Sequence, residues 1–142
     1  MDIVIDRKRL FKIQAYSVIL IFLINTIALK LYLYSSIWYF DMIMHFFGGF
    51  WVGLIALWFF SYKNLSFEFC FKFILKIILS VLMVGVLWEV FEILFVNVVA
   101  QNSFNILDTT SDIFFDLAGG IFAVFYFFKK IMLTDKSELQ LE

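Results

Sequence analysis

The chain has 142 residues, of which 64% are hydrophobic, 22% aromatic and only 16% charged. A soluble domain is about half apolar and about a quarter charged, so this composition excludes a soluble globular domain and a disordered chain. The formal net charge of −1 gives no basic face for nucleic acid, and the single cysteine excludes an internal disulfide. The chain is therefore predicted to be an integral membrane protein that resides in a lipid bilayer.

Four apolar stretches are long enough to cross a bilayer, which takes ~20 residues of helix. They run from about residue 13 to 34, 43 to 62, 73 to 100 and 111 to 128. The run from Ser17 to Ile24 does not alternate apolar and polar residues as the strands of a membrane β-barrel do. The predicted fold class is therefore all-α, a polytopic bundle of four transmembrane helices within residues 13–133. Residues 1–12 are predicted to form an amphipathic lead-in, and residues 134–142 a disordered polar tail.

The distribution of positive charge predicts the orientation of the four spans. Basic residues occur only before the first span, between the second and third, and after the fourth: Arg7, Lys8, Arg9, Lys12, Lys63, Lys72, Lys76, Lys129, Lys130 and Lys136, with Lys30 as the one exception. Basic connections favour the cytoplasmic side, so both termini are predicted to be cytoplasmic. Trp38 and Tyr39 would then mark the outer interface, and Trp58 the inner one.

This orientation can be tested with reporter fusions. A reporter placed after Glu142 or near Lys63 is expected to read as cytoplasmic, because both positions adjoin lysine-containing segments. A reporter near Asn102, in a connection without Lys or Arg, is expected to read as external. Alkaline phosphatase and fluorescent-protein fusions at the same three sites provide the measurement, and a cytoplasmic signal at Asn102 would contradict the orientation.

Acidic residues concentrate in the predicted outer half of the bundle. Residues three or four positions apart share a helix face, and this spacing recurs in spans two, three and four: Asp41 with His45, Glu89 with Glu92, and Asp112 with Asp116. An ionisable side chain that faces lipid at mid-depth costs ~2.5 kcal/mol or more. We therefore expect the three polar faces to turn inward and to meet at one site.

The charges at this level do not balance. Six carboxylates face a single base, Lys30, so either some carboxyl groups stay protonated or a cation binds. A histidine with several carboxylates suits Mg²⁺, Mn²⁺ or Ca²⁺ and could also hold Zn²⁺ or Fe²⁺. The predicted metal ligands are Asp41, His45, Glu89, Glu92, Asp108, Asp112 and Asp116. Among them, Glu89, Glu92 and His45 are the candidates for catalysis.

Simpler roles compete for several of these polar residues. Asp41 and Asp108 each precede an apolar run and could act as helix N-caps. Lys30 is expected to extend its ammonium group to the interface. Asn25 and Thr26, in the middle of span one, are expected to form interhelical hydrogen bonds.

Three sequence blocks together resemble a known family. Asp41-x3-His45-Phe46-x2-Gly49-Phe50, Glu89-x2-Glu92, and Asp108-Thr109-x2-Asp112 with Leu117-x-Gly119 resemble the signature blocks of the YjdF-type bacterial proteins. The resemblance covers residues 41–120 and implies an uncharacterised multi-pass protein of the bacterial inner (plasma) membrane. VanZ-like proteins show a looser version of this layout, but the Arg that usually precedes their last Asp is absent here, so they are a distant analogy.

Three hypotheses for function remain open from the sequence. The chain could be a metal-dependent enzyme that acts on a lipid-like substrate, such as a lipid-linked phosphate or a glycolipid. It could be a carrier or channel coupled to a cation or to protons, although the inner half has few polar residues to continue a path. It could be a structural or assembly subunit whose polar cluster fixes the helix packing.

Overall fold

The computed structural model describes residues 7–61, 70–97 and 105–131, and these ranges are helical with no β-strand. The helices are α1 (Arg7–Lys30), α2 (Leu33–Ser36), α3 (Phe40–Phe60), α4 (Cys70–Phe91) and α5 (Ile106–Tyr126). Helix α4 continues as a π-helical segment, Glu92–Asn97, and α5 as another, Phe127–Ile131. Helices α1, α3, α4 and α5 are long and apolar enough to cross a membrane, which confirms the predicted all-α fold with four spans.

The helix ends differ from the predicted span ends. Helix α1 begins at Arg7, so residues 7–12 of the predicted lead-in belong to the first spanning helix. It ends at Lys30, and Tyr32 adopts a left-handed backbone conformation with φ of 54° before α2. Helix α5 begins at Ile106, five residues before the predicted start. The predicted end of span three, residues 98–100, and the predicted tail lie outside the described residues.

The closest helix pair is α3 and α5, and glycines allow their contact. A Cβ atom on Gly49 would overlap the backbone carbonyl oxygen of Asp116, and one on Gly119 would overlap that of Phe46. Small residues of this kind let helix backbones approach each other in a membrane. The approach brings the polar face of α3 directly against the polar face of α5.

The two ends of the bundle differ in character. At the basic end, where α1 begins and α3 ends, the core consists of apolar residues contributed by all four long helices: Leu10, Leu54, Ala56, Leu57, Phe73, Ile77, Ala123, Val124 and Phe127. Gln14 anchors α1 there by donating a hydrogen bond of 2.7 Å to the Leu54 carbonyl oxygen. At the carboxylate end, where α1 ends and α3 begins, the buried residues include His45 and three acids, Glu89, Asp112 and Asp116.

Hydrogen bonds at the helix ends correct two of the simpler interpretations. Asn105, not Asp108, is the N-cap of α5, and its side-chain oxygen accepts from the Leu107 N–H at 3.2 Å. Asp41 is not an N-cap either, because α3 is preceded by Tyr39 and has no side-chain cap.

Asn25 and Thr26 differ in their hydrogen bonds. Asn25 joins two helices as predicted, since its side-chain oxygen accepts from the Tyr34 hydroxyl of α2 at 2.7 Å. The same prediction for Thr26 is wrong, because its hydroxyl donates to the Phe22 carbonyl oxygen of its own helix. A threonine in a helix can satisfy its hydroxyl in this way without a neighbouring helix.

Candidate functional site

His45 lies at the centre of the polar residues. It is 7% exposed, and its Nδ1 atom is 3.3 Å from Oδ2 of Asp116 on α5. Its other ring nitrogen, Nε2, is 3.9 Å from Oδ1 of Asp41 and 3.9 Å from Oε1 of Glu89 on α4. These two distances exceed hydrogen-bond length. Nε2 therefore faces two carboxylates from different helices without bonding to either.

Five residues form two overlapping groups of potential ligands. In one group, Asp41, His45 and Asp112 each place a ligand atom within 4.8 Å of the others, and in the second His45, Glu89 and Glu92 do so. Oxygen ligands on opposite sides of a Ca²⁺ ion lie ~4.6–5.2 Å apart, and those of smaller ions lie closer. Each trio is therefore compact enough to hold a divalent cation. We call these five residues the carboxylate–His cluster.

Two oxygen atoms of the cluster are buried without a partner. Glu89 is 5% exposed and Asp112 is 2% exposed, and within the described ranges neither Oε1 of Glu89 nor Oδ1 of Asp112 has a hydrogen-bond partner. An unsatisfied buried polar group costs ~1–3 kcal/mol, and more if it is charged. A bound cation or a proton at these positions would remove that cost.

The two other predicted ligands lie outside both trios. Asp116 is buried, but its carboxylate contacts the Nδ1 side of His45, away from the nitrogen that faces the other acids. Asp108 is exposed in the first turn of α5. The structure thus brings five of the seven predicted ligands into the trios, and gives Asp116 the position of a residue that orients the histidine ring.

Glycine makes room for the Asp116 side chain. A Cβ atom on Gly85 of α4 would lie 2.6 Å from Oδ2 of Asp116, which is shorter than real Cβ contacts. Because Oδ2 is the atom that contacts His45, the absence of a side chain at Gly85 allows α3, α4 and α5 to share one polar centre. A residue larger than glycine here would displace the carboxylate.

The regular α-helix of α4 ends at the cluster. Glu92 is the first residue of the π-helical segment that follows α4. π-Helical turns are rare and occur frequently at functional sites, because the wider turn changes which side chains share a face. Nothing in the local sequence predicts this change of helix type, so the sequence could place Glu92 on the same face as Glu89 but not on a widened turn.

A cleft of about 410 Å³ leads to the cluster from the side of the bundle. Helix α1 packs against α3 and makes no comparable contact with α4 among the described residues, which leaves space between α1 and α4. Apolar residues line most of this space, including Val18, Phe22 and Val84. The polar end of the cleft is formed by Asn25, Tyr34, Asp41, His45 and Asp116.

Tyr34 closes the polar end of the cleft from α2, outside the spanning helices. Burial raises the pKa of its phenol above the ordinary value of 10.0, and the negative charges of Asp41 and Glu92 raise it further. The phenol therefore stays protonated at neutral pH and can donate its hydrogen bond to Asn25. The sequence does not assign Tyr34 to the site, because its only signal is an aromatic ring in a predicted interfacial segment.

Comparison with known proteins identifies a family. No curated protein and no solved structure matches the chain. A family model described as a predicted membrane protein (DUF2238) matches residues 2–131, a range that contains all four spans and the whole carboxylate–His cluster. This match agrees with the resemblance to uncharacterised YjdF-type membrane proteins and adds no support to the VanZ analogy. The chain therefore belongs to the DUF2238 family of membrane proteins.

Proposed function

We propose that the protein is a metal-dependent enzyme of the bacterial inner membrane that acts on a lipid-like substrate. The observation that carries this proposal is the convergence of His45 with carboxylates from three helices, of which Glu89 and Asp112 are buried and have unpartnered oxygens. A cluster that served only to hold helices together would pair its polar atoms with one another. The unpartnered oxygens instead favour a ligand that supplies positive charge.

The residues of the cluster have distinct roles in this proposal. Asp116 accepts a hydrogen bond from Nδ1–H of His45 and so leaves Nε2 free of a proton and able to bind a cation. Glu89 and Asp112 supply the buried negative charge. Asp41 and Glu92 are less buried, and Asp41 lines the cleft that leads to the cluster. Glu92 offers one carboxylate oxygen to the cation together with His45 and Glu89, and we propose its other oxygen as general base toward a substrate or water.

A divalent ion in the cluster would supply Lewis acidity and would neutralise an anionic substrate group. The chain itself offers little positive charge at this end, because Lys30 is exposed at the end of α1 and no Arg occurs in the predicted outer half. A phosphate group would therefore be held mainly through the cation. This favours a lipid-linked phosphate over an uncharged lipid as the substrate.

The cleft supports the lipid-like character of the substrate. Its walls of apolar side chains suit a hydrocarbon chain, whereas its polar end presents Asp41 and His45. Ligand cavities commonly combine apolar walls with a few convergent polar groups. A chain in the space between α1 and α4 would deliver its polar head to the cluster without leaving the bilayer.

The apolar core at the basic end argues against transport. A carrier or channel needs polar groups or water along its path, whereas Leu54, Leu57 and Phe127 are fully buried beneath the cluster. Among the described residues, the polar atoms of the cluster therefore have no continuation toward that end. An enzyme that is open on one side fits this asymmetry better than a two-sided carrier.

Metal analysis combined with an activity assay tests the proposal. Detergent-purified protein is expected to retain about one divalent ion per chain, and Glu89→Gln is expected to reduce this to background because it removes a buried negative ligand. The loaded protein is then incubated with a polyprenyl phosphate, a phosphatidic acid and a glycolipid, and product is measured with and without the ion.

Three outcomes of this experiment are informative. Ion-dependent turnover of at least one of the substrates, lost in Glu89→Gln, would support the enzyme. A bound ion without turnover of any of them would favour the carrier. Absence of any stoichiometric ion in the wild-type protein would contradict the proposal and leave the structural role.

A further inference from the structure

A second cavity lies at the basic end of the bundle, far from the carboxylate–His cluster. It has a volume of about 580 Å³ and is lined by Arg7, Lys8, Phe11 and Lys12 of α1 and by Trp58 of α3. The guanidinium group of Arg7 lies 4.7 Å from the centre of the Trp58 ring. Three cations and two aromatic rings therefore border one open space at the end of the spanning helices.

Helical spacing separates the lining into two complementary rows. Lys8 and Lys12 are four residues apart and share a face of α1, and both side chains are exposed. Arg7 and Phe11 form the neighbouring row, and the Phe11 and Trp58 rings lie with their centres 6.5 Å apart. The cavity thus combines a cationic rim with an aromatic wall.

We propose that this cavity binds an anionic phospholipid of the surrounding bilayer. Aromatic rings at the end of a spanning helix lie at headgroup depth, where a phosphate group meets its acyl chains. Lysines at this depth attract anionic lipid, while Phe11 and Trp58 offer an apolar surface to the first carbons of the chains. The phosphate would lie between Lys8 and Lys12, and no acidic residue is among the described residues that line the cavity.

A membrane lipid fits this cavity because the lining has both a cationic and an aromatic surface. Phe11 is 58% exposed on a spanning helix, in the turn that contains Lys8 and Lys12, so a lipid that covers its ring lies beside both lysines. A soluble phosphate would neutralise the lysines but would leave that ring uncovered. A lipid with an anionic headgroup would satisfy both. This site is independent of the function proposed for the carboxylate–His cluster.

Lipid binding in nanodiscs of defined composition tests the site. Purified protein is placed in nanodiscs of phosphatidylcholine with increasing phosphatidylglycerol, and retained lipid is counted by native mass spectrometry. Each lysine near an anionic surface changes affinity by about five-fold, so Lys8→Gln with Lys12→Gln is expected to weaken phosphatidylglycerol binding by about 30-fold. Lys72→Gln with Lys129→Gln, which removes two exposed lysines of the same end, is the matched control and is expected to retain binding.

Other outcomes would overturn the proposal. Equal retention of phosphatidylcholine, or an equal loss of affinity in the control variant, would show only a nonspecific attraction to charge. Displacement of phosphatidylglycerol by glycerol phosphate at the same concentration would identify a site for a free anion. Exposed lysines can be replaced by glutamine with little effect on folding, and a thermal unfolding profile of each variant verifies this.

Discussion

Removal of divalent cations is expected to lower the thermal midpoint of the purified protein by roughly 5–15 °C, and one divalent metal is expected to restore it. A ligand at 100 times its dissociation constant stabilises the folded state by ~2.7 kcal/mol, and for a domain of this size each kcal/mol shifts the midpoint by several degrees. The physical reason is the pair of buried, unpartnered oxygens on Glu89 and Asp112. The measurement is a thermal unfolding scan in detergent with chelator, followed by addition of Mg²⁺, Mn²⁺, Ca²⁺ or Zn²⁺.

Two variants make this result specific to the cluster. Glu92→Gln keeps the shape of the side chain but removes a charged ligand, so it is expected to abolish the response to chelator. Asp108→Asn removes one carboxylate from the same end of the bundle, but this residue is exposed and belongs to neither trio. It is therefore the matched control and is expected to respond like the wild-type protein.

A different outcome would identify protonated carboxyl groups in place of a cation. Groups that bind protons in the folded state stabilise it at low pH and lose that contribution as pH rises. Stability that falls with rising pH and ignores chelator would therefore contradict the metal proposal. It would favour a proton-coupled or a structural role for the same residues.

The inward direction of the polar faces could be predicted from the sequence, because two simple constraints fix it. An acidic side chain in a spanning helix must avoid lipid, and the spacing of Glu89 and Glu92 places both on one face. With the order of the spans, these constraints bring His45 and the acids of three helices to one level. The geometry of the trios agrees with that expectation.

The division of roles between Asp112 and Asp116 could not be predicted in this way. The two residues lie one turn apart on the same face of α5, so the sequence treats them alike. Asp116 reaches Nδ1 of His45 because Gly49 and Gly119 bring α3 and α5 into backbone contact at this turn. The interaction depends on a distance between helices, which no local pattern encodes.

The cleft could not be predicted from the sequence either. Val18 and Phe22 belong to helix α1, whose apolar residues occur on all sides, so their hydrophobicity does not distinguish a face that contacts lipid from a face that lines a cavity. The cavity-lining face can be recognised only from the packing of α1, which contacts α3 but makes no similar contact with α4. This is why the sequence predicts a lipid-like substrate but not the path that its chain would take.

Replacements of His45 and of Asp116 are expected to affect metal binding differently, because His45 is a proposed ligand and Asp116 positions it. His45 belongs to both trios, so His45→Ala is expected to remove stoichiometric metal binding. Asp116→Asn leaves all five residues of the cluster in place but weakens the hydrogen bond to Nδ1, and loss of such an outer partner typically weakens metal affinity ~10–100-fold. Competition with a fluorescent metal indicator measures both affinity and stoichiometry.

Gly85→Ala is also expected to weaken metal affinity, as Asp116→Asn does, but without a change of charge. Its Cβ atom would displace the Asp116 carboxylate, so metal affinity is expected to fall while the stoichiometry stays at one. Gly53→Ala is the matched control, because its Cβ atom would lie 2.8 Å from Cβ of Ala123 at the apolar end of the bundle. It is expected to lower thermal stability without lowering metal affinity. If Asp116→Asn instead abolishes binding as completely as His45→Ala, Asp116 is itself a ligand, and its hydrogen bond with His45 must give way when the cation binds.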